Sequence, residues 1–90
     1  MIIYYLLSNN IMIIKVINKD SEAEKYSFAE KKIVVGRNPS TEASLQLDSE
    51  TISRKHLAAR VRDGVIQIKD LNSSNGSFIG DDKIEADKWY

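Results

Sequence analysis

Arg37, Ser53, Arg54 and Lys55 carry donors that an anion could use, and Ser74 and Asn75 add neutral hydrogen-bonding groups. They stand in three separate places, as Gly36-Arg37, Ser53-Arg54-Lys55-His56 and Ser74-Asn75-Gly76. A guanidinium matches a tetrahedral oxyanion through parallel N–H donors. A dianion with several oxygens needs several donors that converge on it. The amide of Asn75 can both donate and accept, which suits a peptide main chain beside the anion. The whole set would suit a phosphate presented on a peptide.

A rival chemistry uses some of the same residues. Ser53, His56 and Asp70 could be cast as a hydrolase triad. The chain has no Gly-x-Ser-x-Gly elbow to support it. One histidine without cysteine leaves only carboxylates for a metal. No glycine-rich phosphate loop with its lysine is present either. The expectation is therefore no enzyme, no metal and no cofactor. His56 reads as a hydrogen-bonded structural residue rather than a general base.

Strands must position these groups, because no stretch holds a helical period. Short apolar runs at 11–18, 25–28, 32–36, 44–47, 56–62, 65–69, 77–80 and 83–86 are separated by turn residues. Asp63-Gly64 suits a type I′ hairpin turn. Asp81-Asp82 is expected to form another tight turn, and Ala29–Lys31 a charged one. Residues 21–32 have helix-friendly composition, but Tyr26 and Phe28 alternate, which favours a strand. Residues 1–17 are apolar but broken by Ser8, Asn9 and Asn10. That is too short for a membrane span of roughly 18–20 residues and lacks the charge and cleavage pattern of a signal peptide. It reads as two strands around a polar turn. Trp89-Tyr90 looks like the start of a further strand. The sum is all-β, a sandwich or barrel, with the three polar loops able to gather at one end.

Bulk numbers narrow the partners. Ninety residues allow one small domain. Thirteen basic and thirteen acidic residues cancel, so no bulk charge draws the chain to nucleic acid or an acidic membrane. An OB-like strand-binding module remains a minor alternative, since Arg60 and Arg62 lie near the basic stretch. Its stacking aromatics, however, are not interleaved there. Cysteine is absent, which fits a reducing, cytoplasmic setting.

With these motifs in order, the chain resembles a forkhead-associated (FHA) domain. The resemblance rests on Gly36-Arg37, Ser53-x-x-His56 and Asn75-Gly76, set in "GRNPSTEASLQLDSETISRKHLAARV" and "IKDLNSSNGSFIG". It covers residues 11–90, with residues 1–10 as an extension able to form an extra strand. The resemblance implies an FHA/SMAD-like β-sandwich of two mainly antiparallel sheets that recognises phosphothreonine in partner proteins for signalling or assembly. Arg37 and Ser53 would contact the phosphate, with Arg54 and Lys55 adding charge. Asn75 would hold the peptide main chain and Ser74 would assist. Gly36, His56 and Gly76 would support the loops. The family sandwich has further strands after the Asn-Gly hairpin, whereas this sequence stops at Trp89-Tyr90. A truncated chain, pairing of the N-terminal extension in place of a missing strand, or strand exchange between two chains would each account for this; an atypical edge is expected, with a homodimer through exposed or exchanged strands favoured over a plain monomer. A scaffold that binds its partner without phosphate is the alternative function.

Overall fold

The computed structural model describes residues 2–17 and 23–90. Those residues form nine strands and no helix: β1 (Ile2–Ser8), β2 (Ile11–Ile17), β3 (Glu24–Phe28), β4 (Lys32–Arg37), β5 (Leu45–Leu47), β6 (Leu57–Arg62), β7 (Val65–Asp70), β8 (Phe78–Ile79) and β9 (Asp82–Lys83). The strands assemble as β1-β2-β3, β5-β4-β6-β7 and β8-β9. No helix among the described residues is long and apolar enough to cross a membrane. The chain divides into two compact units, Met1–Lys31 with Val61–Ile66, and Lys32–Arg60 with Gln67–Tyr90.

In the first unit the Ile-rich run becomes the central strand β2. Met12, Ile14 and Val16 are buried while Lys15 between them is exposed, the period of two that a half-buried strand requires. Asn18, the expected last residue of this strand, lies outside the described residues. Asn9 and Asn10 both take positive φ, 51° and 61°, and close a two-residue turn between β1 and β2. β3 sets Tyr26 opposite Ile14 and Phe28 opposite Met12. The alternation of these rings thus outweighs helix-friendly composition, because cross-strand packing on β2 stabilises the extended form. Ser21 and Glu22, part of the helical alternative, lie outside the described residues.

The second unit holds the other candidate core: Ile33, Val35, Leu45, Leu47, Leu57 and Ile68 are all buried. β4 runs antiparallel to β6 and parallel to β5. Asp63 (φ 52°) and Gly64 (φ 78°) form the expected turn between β6 and β7. The later turn falls one residue earlier than the sequence suggested. Ile79 pairs with Asp82, so the turn is Gly80-Asp81 rather than Asp81-Asp82. Gly80 takes φ 62°, which costs glycine nothing, and this selects the register. The strand expected at 83–86 shrinks accordingly to β9, although the Ile84 N–H still donates to the Ser77 carbonyl at 3.0 Å. Trp89 bridges Lys69, and Tyr90 exchanges N–H···O bonds with Ile68 at 2.9 and 3.1 Å. The chain end therefore runs beside β7.

Candidate functional site

All the candidate site residues belong to the second unit. β4 ends in Gly36 and Arg37, and the segment before β6 folds against that end. The Arg37 N–H donates to the Ser53 carbonyl at 3.0 Å, and the His56 N–H donates to the Val35 carbonyl at 2.9 Å. Gly36 lies between these bonds. A Cβ on it would stand 1.7 Å from the Arg54 carbonyl oxygen, a backbone atom that cannot easily move. Glycine here lets the Ser53–Lys55 loop close onto β4, and so holds the Arg37 and Ser53 backbones together.

His56 fastens this loop to the next one. Its buried ring accepts the Ser53 N–H on Nδ1 at 3.0 Å. The ring proton is therefore assigned to Nε2, which donates to the Gly76 carbonyl at 2.9 Å. The His56 carbonyl accepts the Leu71 N–H at 2.8 Å. Gly76 takes φ 82°, and a Cβ there would meet the end of the Lys83 side chain. Both ring nitrogens are occupied by backbone, so the imidazole is not turned toward the Ser53 hydroxyl.

That hydroxyl has another partner. Ser53 Oγ accepts the Ser74 N–H at 2.9 Å, which leaves its own O–H free to donate. The Asn75 Nδ2 donates to the Thr51 carbonyl at 2.8 Å. Its Oδ1 has no partner among the described residues, so it remains an acceptor. Arg37, half-buried, and Arg54, exposed, make no side-chain hydrogen bond or ion pair with the described residues. Lys55 points elsewhere, pairing with Glu42 at 3.7 Å. Both members of that pair are more than half exposed, so it is weak and easily exchanged. The structure thus links Arg37, Ser53, Ser74, His56 and Gly76 through one hydrogen-bond network, ties Asn75 separately to Thr51, and sets Lys55 aside.

Asp70 braces the last loop, a role that sequence reasoning missed. It is 3% exposed. One oxygen accepts the hydroxyls of Ser73 and Ser77, the second at 2.7 Å, and the other oxygen accepts the Ser73 N–H at 3.1 Å. Burial alone would raise its pKa. The hydrogen bonds from Ser73 and Ser77, with the nearby His56, outweigh burial and hold the carboxyl below its ordinary value. The signal was present in the sequence: an aspartate three residues before a serine in a turn-rich stretch bonds forward to the backbone. Asp70 does not touch His56 by hydrogen bond, nor does His56 touch Ser53 Oγ, so the three do not form the bonded chain of a triad. Among the described residues no cluster of three His, Asp or Glu could hold a metal.

Comparison with known proteins identifies the family. The family described as FHA domain matches residues 33–89, more than half of the chain. The crystal structure of full-length yeast Pml1p is similar, with a TM-score of 0.65 and 26% identity over 89% of this chain. This chain spans 62% of the Pml1p chain. No curated protein matches the sequence. The all-β fold and the family match lead to one conclusion: the chain belongs to the FHA-domain family of phosphopeptide-binding β-sandwich modules.

Proposed function

We propose that this chain binds phosphothreonine in partner proteins, as a non-catalytic module for signalling or assembly. The observation that carries the reading is the state of Ser53. Its oxygen accepts the Ser74 N–H, and its own O–H has no acceptor among the described residues. Phosphate oxygens would take that O–H and the otherwise unpartnered guanidiniums of Arg37 and Arg54. Lys55 would add charge on leaving Glu42. Asn75, already fixed by Thr51, would accept a main-chain N–H of the peptide through Oδ1. The preference for threonine would come from a small apolar niche for its γ-methyl. The test is fluorescence polarisation with matched phosphothreonine, phosphoserine and threonine peptides. Phosphothreonine should bind tightest and plain threonine not at all; equal binding of all three contradicts the reading.

A second reading, contact without phosphate through strand pairing, is favoured by one feature of the first unit. Among the described residues β1 pairs only with β2, and its Ile2, Tyr4 and Leu6 are 55%, 54% and 60% exposed. A long apolar edge strand is a template for another strand, and two copies meeting edge to edge give a two-fold homodimer. Light scattering coupled to size exclusion decides: a monomer at high concentration removes this reading.

A further inference from the structure

Trp89 is the only tryptophan of the chain. Three cations surround its ring. The Arg60 guanidinium carbon lies 4.0 Å from the ring centroid, Lys69 Nζ 4.9 Å and Lys32 Nζ 5.8 Å. Strand register produces this convergence. Lys32 is opposite Arg60 and Val34 opposite Ala58, so these four share one face of the β4-β6 pair, while Ile33, Val35, Leu57 and Ala59 take the other. Lys69 brings Trp89 in from β7.

Among the described residues, none of the three cations pairs with a carboxylate. The ion pairs among the described residues are Lys55–Glu42 and Lys88–Glu85. Arg60 spends its Nε–H on Gln67 at 2.9 Å and keeps its other N–H groups. From their distances to the ring, each lysine ammonium lies within about 10 Å of the Arg60 guanidinium, close to the Debye length of about 8–10 Å at 0.1–0.15 M salt. They therefore repel one another. One cation would be enough to staple the indole to the sheet. Three, with no counter-charge among the described residues, make a local positive field on a chain whose formal net charge is zero.

We infer that this face docks an acidic segment of a partner protein, a run of Asp and Glu whose carboxylates pair with Lys32, Arg60 and Lys69. The free N–H groups of Arg60 suit a carboxylate. Nucleic acid fits less well. A base would need the ring face that the guanidinium occupies at 4.0 Å. The face shares no residue with the Arg37–Ser53–Asn75 site, so it needs no phosphate and does not depend on that reading.

The lone indole reports on its own surroundings. The full chain is titrated with an alternating Asp-Glu octapeptide, its Asn-Gln counterpart and a thymidine octanucleotide, following Trp89 fluorescence. The acidic peptide alone should give a saturable change, weakened at least tenfold by Lys32→Glu with Lys69→Glu. The milder pair Lys32→Gln with Lys69→Gln, which keeps side-chain bulk, should lose affinity in the same direction. No saturable response to the acidic peptide, an equal response to the neutral one, tighter binding of the oligonucleotide, or retained affinity in the Gln pair would each overturn the inference.

Discussion

Two cationic regions of the second unit are held by different physics. At the loops, Arg37 and Arg54 border a directional network in which Ser53 bonds Ser74, His56 spans Ser53 and Gly76, and Asn75 bonds Thr51. At the sheet face, three cations lean on one indole. Such contacts are worth about 0.5–1 kcal/mol each at exposed sites and tolerate a range of angles. The difference teaches what each region can discriminate. The loops offer donors at fixed positions, so they can select a shape, a tetrahedral phosphate on a particular side chain. The face offers charge over a patch, so it can select only sign and density.

This contrast breaks first at Gly36. Gly36→Ala forces a methyl against the Arg54 carbonyl and should cost about 3 kcal/mol by overpacking, with loss of phosphopeptide binding. Urea denaturation measures it, and an unchanged midpoint would mean that the loop does not sit on β4 as described. Asp70 is the next point of attack, because the loops rest on a buried charge and the Trp89 face does not. The Asp70 pKa is lowered in the folded chain. Its stabilisation is therefore complete above the unfolded carboxylate value, about 3.9, and is lost as pH falls through the lower folded value. Asp70→Asn should cost about 1–2 kcal/mol near neutrality and flatten the loss of stability below about pH 4; an unaltered acid limb in the pH–stability curve would contradict it. The smallest effect sharpens the contrast. Phosphothreonine should exceed phosphoserine at the loops by about 0.8 kcal/mol, one buried carbon, or roughly fourfold in Kd. A polarisation titration that finds the two equal removes the methyl niche.

The sequence announced the loops more clearly than the face, and the reason is physical. Gly-Arg, Ser-x-x-His and Asn-Gly are local groupings whose residue types limit what they can do. The polar stretches fell between strands because turn chemistry is also local. What stayed hidden depends on contacts between distant residues. Nothing near Gly36 says that the Arg54 carbonyl must pass over it. Asp70 was read only as a possible triad partner of His56, since an aspartate's partners are chosen by folding. The charge of Lys55 was plain, but its pairing with Glu42 was not. Trp89 read as an interrupted strand, because Lys32, Arg60 and Lys69 come from three different strands and meet only once the register is fixed. The turn at Gly80-Asp81 shows the same limit on a small scale: Gly80, Asp81 and Asp82 all accept turns, and pairing of Ile79 with Asp82 chooses among them.

The central claim is that Arg37 and the Ser53 hydroxyl read a phosphate. Its most direct test is polarisation of a labelled phosphothreonine peptide against the unaltered chain and Arg37→Ala, with urea denaturation of both. Loss of a charge-assisted contact should cost about 1.5–3 kcal/mol, at least tenfold in Kd, with stability nearly unchanged because the Arg37 side chain makes no hydrogen bond or ion pair among the described residues. Equal affinity of the two proteins for the phosphothreonine peptide would contradict the account.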